Sequence, residues 1–170
     1  MDAAAHYRQL LQLGREEFLA AAAPAALVRY RDDHQHNVHS GIHTLTIERE
    51  LEETMPHGRD TPPHLREIEV FPLTKKPGAS FPDRITIGRT DNNDIALADP
   101  SVSRLHAYVR RDGTRWLVAD AGSKNGSWLE GKRLDARKER ALPSRADLRF
   151  GDVDLMFYEA ADLFTALGGT

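Results

Sequence analysis

The chain is 170 residues long, 40% apolar and carries a formal net charge of −3, which is enough for one packed domain with some length to spare. That acidic balance argues against nucleic acid or an anionic membrane as a partner, because both are usually met by a basic excess. The absence of cysteine excludes disulfide scaffolds, thiolate metal sites and cysteine nucleophiles, and no apolar run approaches the roughly 18 residues of a bilayer span.

The amino terminus lacks the basic-then-apolar order of a signal peptide, which predicts a cytoplasmic protein. Asp2 to Ala23 reads as one helix: Asp2 caps it, alanines fill it, Tyr7, Leu11 and Phe18 recur at helical spacing, and Pro24 ends it. Gly14 weakens its middle by about 1 kcal/mol relative to alanine. The apolar stripe is narrow, so the helix must dock on its own domain or on a partner. Residues 1–30 are thus a helical extension.

Residues 31–65 read as a polar linker rich in histidine and proline. Within it, "TLTIERELEE" fits a strand at Leu45 and Ile47 or a short helix through Leu51. His34, His36, His39 and His43 raise the question of a metal. Gly41 between His39 and His43, the missing "HExxH" glutamate and the lack of cysteine argue for a solvated segment without metal. A pH-sensing role fits the cluster as well as metal binding does.

From residue 66 to 160 the character changes. "EIEVFPL", "DRITIGR", "LHAYVRR", "RWLVAD", "SWLEG" and "ADLRFGDVDLMFYEA" alternate apolar and polar positions. Turn clusters such as "KKPGAS", "TDNND", "RDG" and "AGSKNG" separate them. Short strands punctuated this way predict an all-β sandwich, and no alternating helices suggest a parallel α/β sheet. Trp116 and Trp128 occupy apolar strand positions as core or half-buried packing. Residues 161–170 form a short terminal helix or tail, ending at Gly168 and Gly169.

"SVSRLHAYV" places Ser103 three residues before His106. A serine nucleophile needs a base within reach and a third group orienting that base. No "GxSxG" elbow or glycine-rich oxyanion loop accompanies this pair, so no catalytic residue is assigned. The neighbouring turns suggest anion capture instead. Arg89 emerges after Gly88, and Ser123, Lys124, Asn125 and Gly126 form a tight turn. A guanidinium fork, a hydroxyl, an ammonium and turn amides are the donors that hold a phosphate.

Taken in order, "GR" at Gly88–Arg89, "SVSRLHA" at Ser101–Ala107, "SKNGS" at Ser123–Ser127 and the closing "LRFGDVDLMF" resemble a forkhead-associated domain over roughly residues 66–160. The resemblance implies an eleven-stranded β-sandwich that binds a phosphothreonine peptide through loops at one end. It implies that Arg89 and Ser103 contact the phosphate, that Arg104 contributes its amide or side chain, that Lys124 faces the phosphate and that Asn125 bonds the peptide backbone. Gly88, His106 and Gly126 would support the loops, and Ser127 stands where the family often has threonine. The implied function is a non-catalytic adaptor in serine/threonine-kinase signalling. Its implied partner is a phosphothreonine protein, either a kinase or a kinase substrate, with no cofactor. Ser101, Arg104 and the Ser127–Lys132 strand ends are candidates for selectivity. Arg110, Arg111, Lys132 and Arg133 read as solvated strand ends, or as a basic rim that steers acidic peptides.

Nothing in that family accounts for the leading segment, which is a partner-docking arm, a piece packed on the sandwich, a linker, or a cover for the loops. The alternative function is therefore a phosphate-independent scaffold using the amino-terminal helix or a sandwich face.

Overall fold

The computed structural model describes residues 2–31, 67–79 and 81–170. Its elements run α1 (Ala3–Gln12), α2 (Arg15–Ala21), β1 (Ala25–Arg31), β2 (Glu67–Pro72), β3 (Ile85–Gly88), β4 (Ile95–Ala96) and β5 (Ala107–Asp112). They continue with β6 (Arg115–Asp120), β7 (Ser127–Leu129), β8 (Lys132–Arg133), β9 (Arg140–Ala141), β10 (Ala146–Phe150), β11 (Val153–Glu159) and α3 (Ala160–Ala166). One sheet has the order β2-β1-β11-β10-β7-β8 and the other β4-β3-β5-β6-β9. Ten strands of the two-sheet sandwich fall between residues 67 and 159, and the eleventh comes from residues 25–31.

Strand β10 shows how alternation builds the sandwich. Ala146, Leu148 and Phe150 are buried, while Asp147 and Arg149 face outward. The inward residues join Ile87, Val109, Val118 and Phe157 in a core between the sheets. Fully burying one such side chain stabilises the fold by roughly 1.5–3 kcal/mol.

A second apolar cluster lies on the outer face of the six-stranded sheet. There Tyr7 of α1, Phe18 of α2 and Phe164 of α3 meet Ala26, Val28, Ile68, Val70 and Tyr158. The ring centroids of Tyr7 and Phe18 are 5.8 Å apart, and those of Phe18 and Phe164 are 5.2 Å apart. The narrow helical stripe thus docks on the chain's own sheet.

Two expectations need correcting. The single helix over 2–23 is two helices, because Gly14 takes φ +99° between α1 and α2, a conformation costly for any residue with a Cβ. The sandwich also does not begin at residue 66. Strand β1 pairs antiparallel with β2 and with β11, so part of the proposed extension is an interior strand. Its Ala25 and Leu27 enter the core between the sheets, and Ala26 and Val28 enter the helix-covered cluster. The histidines 34, 36, 39 and 43 lie outside the described residues. Among the described residues, no helix is long and apolar enough to cross a membrane.

Candidate functional site

The turns after β3, before β5, after β6 and between β10 and β11 meet at one end of the sandwich. Hydrogen bonds fasten each to the next. The Arg89 N–H donates to the Ser103 carbonyl at 2.9 Å. The Lys124 N–H donates to Ser103 Oγ at 3.0 Å. The Gly151 N–H donates to the Gly126 carbonyl at 3.0 Å, and the Asp152 N–H donates to Ser101 Oγ at 2.8 Å.

His106 is the hub of this assembly and is wholly buried, with 0% of its surface exposed. Its Nδ1 accepts from the Ser103 N–H at 2.9 Å. That acceptance assigns the ring proton to Nε2, which donates to the Gly126 carbonyl at 2.8 Å. Burial pushes its pKa below the ordinary histidine value, against the opposing pull of the Gly126 carbonyl and the Asp120 charge. The ring is therefore neutral at pH 7. Both nitrogens serve main-chain groups, so neither can activate the Ser103 hydroxyl. The two residues do not form a catalytic dyad.

Gly88 is required by close approach. A Cβ on it would lie 2.0 Å from the Arg104 carbonyl oxygen and 2.6 Å from Asn93 Nδ2. Asn93, 3% exposed, donates through the same Nδ2 to that carbonyl at 2.6 Å and to the Thr90 carbonyl at 2.9 Å. Gly126 has φ +91°, and a Cβ there would lie 3.0 Å from Arg133 Nε.

The charged groups stand outside this frame. Arg89 is exposed, and its Nη1 reaches the Val102 carbonyl at 3.3 Å. Arg104, Lys124 and Asn125 are exposed, and Asn125 Nδ2 donates to the Ser101 carbonyl at 2.8 Å. Ser103 is half-buried; its oxygen accepts from Lys124, leaving its own proton free to donate outward. Among the described residues, no carboxylate lies within 4.0 Å of Arg89, Arg104 or Lys124. Also among the described residues, no group of three or more acidic or histidine side chains is placed to hold a metal ion. The structure therefore brings the turns that carry Arg89, Ser103, Arg104, Lys124 and Asn125 together, with no carboxylate paired to the three cations among the described residues.

Residues 85–151 match the family model of the FHA domain. Over those residues the chain is similar to the FHA domain. It is 36% identical over 74 residues to an oxoglutarate dehydrogenase inhibitor of Corynebacterium diphtheriae, covering 44% of this chain and 50% of that protein. It is 33% identical over 67 residues to the FHA domain-containing protein FhaB of Mycolicibacterium smegmatis, covering 39% and 42% respectively. The matched region thus spans half or less of the length of each of these relatives. Among solved structures, the yeast Dun1 FHA domain in complex with a doubly phosphorylated peptide derived from Rad53 aligns with a TM-score of 0.50 at 17% identity. That alignment covers 83% of this chain and 78% of that one, and the likeness is one of fold.

Two supports of the FHA loops were not singled out from the sequence. One is Asn93. The other is Asp120, 4% exposed, whose Oδ2 accepts from the N–H groups of Gly122 and Ser123 at 2.9 and 3.0 Å. Its Oδ1 accepts from the hydroxyls of Ser123 and Ser127 at 2.5 and 2.6 Å. Burial raises the Asp120 pKa, but these four donors outweigh it and hold the carboxyl below its usual range. An aspartate two residues before a Gly-Ser pair is the sequence signal of such a side-chain-closed turn.

Proposed function

We propose that this FHA domain reads phosphothreonine on a partner protein and acts as a non-catalytic adaptor in serine/threonine-kinase signalling. The observation that carries the reading is the Ser103 loop. Its hydroxyl accepts from the Lys124 amide, its main chain is tied to Arg89, and among the described residues the hydroxyl proton has no acceptor and no carboxylate pairs with Arg89, Arg104 or Lys124. A phosphate ester carries about −1.5 to −2 charges at pH 7, which suits such donors. Arg89 and Ser103 contact the phosphate, Lys124 adds charge, and Arg104 lends its amide or side chain. Asn125, held through Nδ2, keeps Oδ1 free to accept an N–H from the peptide backbone. The partner is a kinase or a kinase substrate, met in the cytoplasm. Affinity is micromolar, about −8 kcal/mol, because a peptide lying across loop ends buries little area.

The phosphate-independent alternative loses most of the amino-terminal helical surface, since Tyr7, Leu10 and Phe18 are buried on the sheet and only Leu13 and Leu19 stay exposed among its large apolar side chains. The test is a titration against degenerate phosphothreonine, phosphoserine and unphosphorylated peptide pools. Selective binding of the phosphothreonine pool, abolished by Arg89→Ala, is the expected result. Equal binding of all pools, or full binding by the variant, would overturn the reading.

A further inference from the structure

The FHA loops are bordered by an aromatic residue carrying two stacked guanidinium groups. On the outer face of the six-stranded sheet, Arg149 of β10 pairs in register with Trp128 of β7, which pairs with Arg133 of β8. The Arg149 guanidinium carbon lies 4.7 Å from the centre of the Trp128 rings and that of Arg133 lies 5.5 Å from it. Among the described residues no helix covers this part of the sheet, since the described helices pack over β1, β2 and β11. Both arginines are exposed.

The two cations differ in how far they are already satisfied. Arg149 donates through Nε to the Gly151 carbonyl at 2.8 Å and lies 3.7 Å from Asp152. Arg133 has no carboxylate within 4.0 Å among the described residues. Its location is specific. The point where a Gly126 Cβ would stand is 3.0 Å from Arg133 Nε and 3.1 Å from the Trp128 ring, so the guanidinium lies against the turn that carries Lys124 and Asn125.

Stacking on an indole face leaves the edge of a guanidinium free to form paired hydrogen bonds. It also restrains a long side chain before any ligand arrives, which lowers the ordering cost of binding. A carboxylate matches that edge in shape and charge. We propose that Arg133, held on Trp128 beside the Lys124–Gly126 turn, selects ligands with an acidic side chain close to the phosphothreonine. This inference rests on the phosphothreonine reading of the same loops, and Arg133 supplies specificity rather than the phosphate contact.

The experiment uses the full chain and two degenerate phosphothreonine peptide pools. In one, the flanking positions hold aspartate or glutamate; in the other they hold asparagine or glutamine. The expected result is an acidic-pool affinity about fivefold above the amide pool, the scale of one partly exposed ion pair. Arg133→Gln removes that preference, leaves amide-pool affinity within about twofold and leaves the melting temperature unchanged. Arg89→Ala loses both pools. Equal affinity of the natural chain for both pools, or a preference that survives Arg133→Gln, would overturn this inference alone and leave Arg133 as packing on a sheet face. Failure of both pools to bind the natural chain would refute the phosphothreonine reading and this inference with it.

Discussion

Replacing His106 with alanine tests the idea that a neutral buried ring holds the loops together. The substitution deletes the ring that accepts from the Ser103 N–H at 2.9 Å and donates to the Gly126 carbonyl at 2.8 Å. Each hydrogen bond contributes about 1 kcal/mol net, and a buried group left without its partner costs about 1–3 kcal/mol. The ring also packs edge-on against Phe150, with centroids 5.7 Å apart, so its removal leaves a cavity in the core. The sum is about 3–5 kcal/mol, a large share of a domain's usual 5–15 kcal/mol. Urea denaturation at pH 7, followed by the fluorescence of buried Trp116, measures it. A second arm uses pH. The folded-state pKa of His106 lies below its unfolded value, so the unfolded chain takes up the proton first as pH falls. The contribution of the ring is complete above about pH 6.5 and declines below it, by up to about 1.4 kcal/mol per pH unit. The stability gap between natural chain and variant should therefore narrow from pH 7 to pH 5. A loss below about 1 kcal/mol, or a gap that stays constant with pH, would refute the reasoning.

Gly88→Ala forces a methyl group to within 2.0 Å of the Arg104 carbonyl, so it should cost at least the 1–3 kcal/mol typical of overpacking and displace the Ser103 loop. Thermal melting and phosphothreonine-pool binding should both fall; unchanged values in both would contradict the described approach. Asp120→Asn should destabilise the domain by about 1–3 kcal/mol at pH 7, because an amide cannot accept all four donors. Because the folded Asp120 pKa is depressed, its contribution is present above the unfolded value and is lost as pH falls through the folded one; the deficit should shrink in acid. Deleting residues 1–31 should abolish cooperative unfolding, since it removes β1 from between β2 and β11. A cooperative melt within a few degrees of the full chain would show that β1 is dispensable.

The legible parts of the sequence were those where one face of a strand meets water. Ala146–Phe150 alternates cleanly, so its strand and its orientation follow from spacing alone. Strand β1 was hidden for the opposite reason. Ala25, Ala26, Leu27 and Val28 are buried on both faces, which leaves a short apolar run continuous with an alanine-rich helix and no alternation to mark it. The candidate site residues were proposed from their order in the chain, and the structure gathers the turns that carry them. The Asn93 amide was not, because its acceptor, the Arg104 carbonyl, is eleven residues away and "TDNND" reads as any polar turn. Asp120 closes its turn locally, within two to seven residues, and so left a trace that spacing could reveal.

The place of β1 also orders the events of folding. Its two neighbours are β2, which begins at Glu67, and β11, which ends at Glu159. On a ribosome this strand must wait until Val153–Glu159 has been made before its second partner exists. Until then Leu27 and Val28 have only β2 beside them, and Tyr7 and Phe18 lack Tyr158, Leu163 and Phe164 of the cluster they complete. Pairings across so many residues also form slowly, because loop closure must precede any gain from contact. The nascent domain therefore exposes one apolar edge of β1, still without its β11 partner, for most of its synthesis, and that strand is the segment for which holding chaperones would compete.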